Sequence, residues 1–254
     1  LYSFCRSIDD RVCISPRKSV AKHIGSGLGL RRNPNCWEFG INTSCASPWN
    51  STGSGTRAGT AISKRHIIFA DHYRIGVGAT VRFVGMDDVV YERTLLAEKY
   101  LAGTDIMIGL LSEDLPDVVL PAVILPRDFC LHLGDAKRLP MLMYDYSEHS
   151  IVTDSSSLFV TSRSADGMRP RDPSRDHYFE EVVSGDSGDP KFFVSGDTAI
   201  LVCCLLSYGN GNSGIGPFVT YYKDRIQAIM DSLCPGYQLR EFDFSAFRSL
   251  DEIE

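Results

Sequence analysis

The chain has 254 residues, of which 43% are hydrophobic and 23% charged, and its formal net charge is −6 at pH 7. This is the composition of a globular protein that can bury a large core, and the negative balance provides no basic surface for nucleic acid or for an anionic membrane. No apolar run approaches the roughly 18 residues that a membrane-spanning helix requires, so we expect neither nucleic acid nor a membrane among the partners.

Residues 1 to 46 are polar and have no clean period of two or 3.6, which predicts an irregular N-terminal extension. From about residue 47, short β-prone runs alternate with turns. They lie at 60–62, 67–69, 80–84, 87–96, 105–111, 141–143, 157–160, 192–194, 199–206 and 217–219. Short strands at such close spacing predict an all-β fold of antiparallel barrels or sandwiches.

A proline-containing connector at 116–133 separates two clusters of predicted strands, and residues 162–176 read as an exposed loop. The chain has one predicted helix, at 223–233, where four apolar residues share a face: Ile226, Ile229, Met230 and Leu233. The acidic tail at 234–254 is expected to lie along the surface.

The candidate nucleophile lies in the sequence Gly-Asp-Ser-Gly-Asp-Pro at 185–190. Gly185 and Gly188 permit backbone conformations closed to other residues, so the chain can turn sharply around Ser187. A turn of this kind can aim the backbone N–H groups of Gly185 and Ser187 at one point, which is what an oxyanion hole requires.

Ser187 needs a base, and all six histidines precede it in the chain, which excludes the Ser…Asp…His order of α/β-hydrolases. His72 ends an apolar run, and Asp105 opens another. Polar residues at the ends of buried strands are held rigidly, so the sequence predicts a site with the chain order His…Asp…Ser. His66 follows two cations within a strand and is interpreted as structural.

These motifs resemble those of the chymotrypsin/trypsin family of serine peptidases. Four segments carry the likeness: Ala-Asp-His at 70–72, Thr-Asp-Ile at 104–106, Gly-Asp-Ser-Gly-Asp-Pro at 185–190 and Leu-Ser-Tyr-Gly at 206–209. The resemblance covers about 47–233. It implies two antiparallel Greek-key β-barrels, at about 47–122 and 139–220, packed together with a C-terminal helix at 223–233.

The resemblance also implies a serine endopeptidase that cleaves protein or peptide substrates through an acyl-enzyme. Ser187 is then the nucleophile, His72 its base, and Asp105 the group that orients His72. The oxyanion would be bound by the N–H groups of Gly185 and Ser187, and the substrate backbone would pair with three residues, Ser207, Tyr208 and Gly209. No cofactor or metal is expected, because nucleophile and base are both side chains.

Two other functions are weighed against the peptidase. An inactive homologue could bind partners through the same cleft, but none of the three triad residues has been lost. A metal-binding extracellular module is disfavoured because the cysteines lack the paired spacing of a zinc site.

The turn departs from the family at two acidic positions. The family pairs the residue equivalent to Asp186 with a new N-terminus of the Ile-Val-Gly-Gly type, which is absent here, so an internal cation is the expected partner. Asp189 stands where the family has glycine and is expected to point away from the turn. Glu181 occupies the position that lines the base of the primary pocket, although an exposed acidic loop is the preferred interpretation.

Eight cysteines and two glycosylation sequons, at Asn42 and Asn50, favour a secreted or extracytoplasmic protein. Four of the cysteines are close enough in sequence for short-range disulfides: Cys5, Cys13, Cys36 and Cys45. The family's own disulfide framework is largely missing, since Tyr73, Ala58 and Val183 occupy its usual cysteine positions.

Overall fold

The computed structural model describes residues 2–14, 19–47, 57–204 and 213–247, and its regular structure is mostly β. A short π-helix (Asp10–Ile14) and a 3₁₀ turn (Gly27–Gly29) accompany the main elements. In chain order these are α1 (Tyr2–Asp9), β1 (His23–Ile24), β2 (Arg31–Arg32), β3 (Ala46–Ser47), β4 (Gly59–Ala61), β5 (His66–Ala70), β6 (Thr80–Val84), β7 (Val90–Tyr100), β8 (Ile106–Leu111), β9 (Val123–Ile124), α2 (Cys130–Leu133), β10 (Pro140–Tyr144), β11 (Ser150–Ser155), β12 (Ser164–Met168), α3 (Pro173–Asp176), β13 (Pro190–Ser195), β14 (Thr198–Cys204), β15 (Ile215–Pro217) and α4 (Val219–Leu233).

Six strands form an antiparallel sheet in the order β3-β4-β5-β8-β7-β6. Its two edge strands, β3 and β6, approach each other, so the sheet is nearly closed into a barrel. The central strand β5 is buried along its whole length because its sequence, His-Ile-Ile-Phe-Ala, is apolar on both faces after the first residue. The prediction of an antiparallel barrel in this part of the chain is confirmed.

The second sheet has seven strands in the order β15-β12-β11-β10-β13-β14-β9. It is mixed rather than purely antiparallel, because β9, from the predicted connector, pairs in parallel with β14. The C-terminal helix α4 begins four residues earlier than its apolar period predicted, and it buries Ile226 and Met230 in the larger core cluster. No helix in the described ranges has the length and apolarity to traverse a bilayer.

Two predictions for the middle of the chain are wrong. Residues 157–160 lie outside any strand, and the strand at this point is instead Ser150–Ser155. The predicted loop at 162–176 contains β12 and α3, and β12 is held by pairing with both β11 and β15. That pairing joins distant segments, so local propensity did not reveal it.

The N-terminal segment is more ordered than its polar composition predicted. Helix α1 packs against β13, and its Phe4 is 1% exposed in a cluster with four other rings, those of Phe193, Phe242, Phe244 and Phe247. The acidic tail contributes three of those rings. Both terminal segments are therefore partly buried against the second sheet.

Part of the segment 19–47 also packs onto the second sheet. The fully buried Trp37 donates its indole N–H to the carbonyl oxygen of Ser150 at 2.7 Å. Lys22 is buried as well, with Nζ donating to two backbone carbonyls at 3.2 Å each and lying 4.1 Å from the ring centroid of Tyr144. Other parts of the segment contact the first sheet, where β3 pairs with β4 and Arg32 donates to the carboxylate of Asp88.

The predicted disulfides are not seen. The seven cysteines whose side chains the structure describes are free thiols: Cys13, Cys36, Cys45, Cys130, Cys203, Cys204 and Cys234. Burial raises the pKa of both Cys36 and Cys45 to about 12, so these two thiols stay protonated and unreactive at neutral pH.

Candidate active site

The register between β5 and β8 sets two of the predicted site residues side by side. The strands are antiparallel, and Ala70, the last residue of β5, pairs with Ile106, the first of β8. His72 follows β5 by two residues, and Asp105 immediately precedes β8. The backbone N–H of Asp71 donates to the carbonyl oxygen of Asp105 at 3.0 Å, which extends the pairing to the site.

Asp105 holds His72 through both of its carboxylate oxygens. Oδ1 accepts the backbone N–H of His72 at 2.9 Å, and Oδ2 lies 2.7 Å from the ring atom Nδ1. The Asp105 side chain is 10% exposed, whereas that of His72 is 41% exposed. The imidazole is thus fixed at one end by a mostly buried carboxylate and open to solvent on its other side.

Ser187 completes the line. Its Oγ lies 2.8 Å from Nε2 of His72, so three side chains from distant parts of the chain form one hydrogen-bonded series. Because a carboxylate can only accept hydrogen bonds, Nδ1 of the neutral imidazole carries the proton, and Nε2 is left to accept from the serine hydroxyl.

The turn that carries Ser187 packs directly against the first barrel. Gly188 has φ +90°, and a Cβ at this position would lie 3.4 Å from the carbonyl oxygen of Ala58 and 3.5 Å from Cβ of Ala70. The positive φ and the close approach both favour glycine. This contact places Ser187, which precedes β13 of the second sheet, at the end of β5.

Gly185 also has a positive φ, +116°. Within the described part of the chain, no acceptor takes the backbone N–H of Gly185 or that of Ser187. Unclaimed donors at these two positions meet one requirement for stabilising a negatively charged oxygen beside the serine.

Asp186 is completely buried, and its partners differ from the expected cation. Oδ1 accepts the backbone N–H of Tyr146 at 3.0 Å, and Oδ2 accepts that of Val183 at 2.7 Å. Burial raises the pKa of Asp186, and among the described residues it makes no ion pair. Nothing in the sequence marked Tyr146 or Val183, since both act through backbone N–H groups.

Asp189, which the sequence predicts to point away from the turn, has a buried side chain. It is 1% exposed, and neither carboxylate oxygen has a hydrogen-bond partner in the described ranges. Burial, reinforced by the negative charge of Asp186, raises the pKa of Asp189 well above its usual value, which favours the neutral form of this carboxyl.

The remaining predicted residues divide into those that are described and those that are not. Ser207, Tyr208 and Gly209 lie outside the described residues. Glu181 is exposed, as the acidic-loop interpretation required. His66 is buried, with Nδ1 2.9 Å from the hydroxyl of Ser63, in agreement with a structural role.

One other group of side chains could coordinate an ion. Over the described ranges, Asp145, His149 and Glu180 form the single set of three or more potential metal ligands.

Comparison of the chain with known proteins identifies no family. No protein-family model matches it, and a search of curated proteins found no match either. The geometry of the site itself indicates its chemistry: a hydroxyl, an imidazole and a carboxylate in series can produce an activated oxygen nucleophile.

Proposed function

We propose that this protein is a serine endopeptidase that hydrolyses peptide bonds in protein or peptide substrates. The observation that carries the proposal is the continuous hydrogen-bonded series from Asp105 through His72 to Ser187, with spacings of 2.7 and 2.8 Å. His72 is 33 positions from Asp105 and 115 positions from Ser187 in the chain, so the three side chains meet only through the tertiary fold.

The reaction follows from the hydrogen-bond roles. Ser187 Oγ attacks the substrate carbonyl while Nε2 of His72 takes its proton, and Asp105 stabilises the imidazolium that results. The tetrahedral oxygen is bound by the N–H groups of Gly185 and Ser187. His72 then protonates the leaving amine, which gives an acyl-enzyme, and a water molecule activated by the same imidazole releases the acid.

The two-barrel, trypsin-like architecture belongs to the same proposal. Its first barrel corresponds to the nearly closed six-strand sheet. Support for a second barrel comes from Gly216 in β15, where a Cβ would overlap the carbonyl oxygen of Cys204 in β14. In the described ranges β14 and β15 are not paired with each other. Their close approach indicates that the second sheet curves toward closure.

A fluorophosphonate probe, which phosphonylates activated serines, tests the proposal. We expect one label per chain on Ser187, read by intact mass and peptide mapping. Labelling should be abolished in Ser187→Ala and strongly reduced in His72→Ala. The exposed His177, which lies outside the series, provides the matched control, and His177→Ala should label at the rate of the unchanged protein.

A folded protein that takes no label would overturn the peptidase and favour the binding homologue. If Ser187 is labelled, cleavage of a denatured protein mixture by the unchanged chain, but not by Ser187→Ala, would establish endopeptidase activity. Secretion stays a prediction that immunodetection of the natural protein in extracellular fractions checks.

A further inference from the structure

Three donor atoms from two separate segments converge beside the Ser187 turn. Asp145 and His149 lie on the turn between β10 and β11, and Glu180 precedes the nucleophile by seven residues. Nδ1 of His149 is 3.2 Å from Oδ2 of Asp145 and 3.4 Å from Oε1 of Glu180, and all three ligand atoms lie within 4.8 Å of one another.

Nδ1 of His149 is also 3.4 Å from Oε2 of Glu180, within hydrogen-bonding distance, but all three separations are long for charge-assisted hydrogen bonds and suit a shared ion. Charge-assisted N–H···O bonds are usually about 2.7–2.9 Å long, and a single proton on Nδ1 can point at only one of the two carboxylates. In a tetrahedral site with bonds of about 2.0–2.1 Å, neighbouring ligand atoms are about 3.3 Å apart. The distances from His149 to its two neighbours match that edge.

The donor types select the class of ion. One imidazole nitrogen with two carboxylate oxygens is a set that Zn²⁺ and similar divalent transition ions accept, whereas Ca²⁺ and Mg²⁺ prefer oxygen ligands throughout. Oδ1 of Asp145 accepts the backbone N–H groups of Ser147 and His149, both at 2.8 Å, and this fixes the direction of Oδ2. Glu180, 46% exposed, leaves the site accessible from solvent.

The position of the cluster gives the ion a structural consequence. Tyr146, between Asp145 and His149 in the chain, donates its N–H to Oδ1 of Asp186. Val183, three residues after Glu180, donates its N–H to Oδ2 of the same carboxylate. An ion held by all three ligands would therefore cross-link the two segments that fix Asp186, the neighbour of Gly185 and Ser187.

We propose that Asp145, His149 and Glu180 bind one zinc-class divalent cation, which fastens the β10–β11 turn to the segment that carries the nucleophile. Binding of the ion stands independently of catalysis. Its effect on the oxyanion donors rests on the proposed peptidase function.

The test uses the full chain as Ser187→Ala, without a histidine tag and stripped with EDTA, so that self-cleavage cannot interfere. Zn²⁺ is titrated by calorimetry, and Co²⁺ is followed by the visible absorption of its four-coordinate complexes. We expect one ion per chain, and we expect added Glu180→Gln or His149→Gln to weaken binding by about tenfold or more. The exposed Glu180 makes Glu180→Gln the variant least able to disturb folding, which circular dichroism verifies.

His72→Ala serves as the matched histidine control, because it removes an imidazole–carboxylate pair that lies outside the proposed ion site. Its affinity for Zn²⁺ should be unchanged. Binding that survives Glu180→Gln at full strength, binding that disappears with His72→Ala, or a preference for Ca²⁺ over Zn²⁺ would each overturn the proposed site. Since none of these readouts depends on hydrolysis, failure of the ion site and failure of the peptidase proposal can be told apart.

Discussion

The carboxylate of Asp105 binds His72 twice, once at the backbone N–H and once at ring atom Nδ1. The backbone contact fixes the position of the carboxylate relative to the chain, and the ring contact fixes both the orientation and the tautomer of the imidazole. Since Asp105 is mostly buried at the start of β8, the strand itself determines where the Nε2 lone pair points.

Asp105→Asn tests the second contact without removing the first. The amide can still accept the backbone N–H through its oxygen, but its NH₂ group then donates to Nδ1, and the proton moves to Nε2, where it blocks the serine. We expect kcat/KM to fall by about 10⁴-fold with an unchanged thermal midpoint. A loss of less than tenfold in a peptide hydrolysis assay would remove Asp105 from the site.

Gly185→Ala tests the turn. The space around a Cβ there is adequate, with the Tyr146 ring at 3.5 Å, so the cost comes from the φ of +116°. The backbone is expected to rotate away from this angle and displace an N–H from the oxyanion, which lowers kcat by about 10²- to 10³-fold. KM for a peptide ester should change little. An unaltered kcat would show that this N–H does not contact the reacting oxygen.

The candidate triad could be predicted from sequence because each member is tied to a local pattern. His72 and Asp105 border apolar runs that became β5 and β8, and Ser187 is framed by two glycines that adopt positive φ. The partners of Asp186 could not be predicted in this way. Any residue type can supply a backbone N–H, so the bond from Tyr146 leaves no trace in the sequence.

The parts of the fold that were predicted wrongly have a similar physical explanation. Helix α1 lies in a segment that local propensity left irregular, and it is held by the contacts of Phe4 with rings from β13 and the tail. Strand β12 lies in a polar segment because it pairs on both sides with partners distant in sequence. Tertiary contacts override weak local preferences at both places.

Phe4→Ala measures how strongly the terminal segments are fastened. Removing this fully buried ring leaves a cavity among four aromatic neighbours, and we expect the free energy of unfolding to fall by about 3–5 kcal/mol. Phe159, 51% exposed, provides the control, and Phe159→Ala should change stability by less than about 0.5 kcal/mol. Urea titrations in the Ser187→Ala background make the comparison. Equal effects at the two positions would contradict the packing described for α1.

Lys191 predicts a pH dependence of stability. It is fully buried in β13, with Nζ donating to the carbonyls of Ser213 and Gly214, and burial lowers its pKa to about 8. Between pH 8 and the ordinary value of 10.5 the unfolded chain binds more protons than the folded one, so stability rises with pH across this window. Below pH 8 the ammonium is charged in both states, and the cost of burying it is fully present.

The measurement compares urea unfolding of Ser187→Ala with and without added Lys191→Met at pH 8 and pH 10. Relative to the methionine variant, the lysine protein should gain roughly 1 to 2 kcal/mol between the two conditions. The exposed Lys137 supplies the control, since Lys137→Met should leave the pH trend intact. A difference that stays constant or shrinks toward pH 10 would contradict a depressed pKa at Lys191.

The bond from Trp37 to Ser150 spans 113 positions, and it has a consequence for biosynthesis. Trp37 leaves the ribosome long before the hairpin that covers its side chain has been synthesised. During that interval a large indole and its apolar surroundings stay uncovered, as a substrate for chaperones or a seed for aggregation. The segment that carries Trp37 can dock only after the hairpin that contains Ser150 has been synthesised. We therefore expect this docking to be among the last steps of folding.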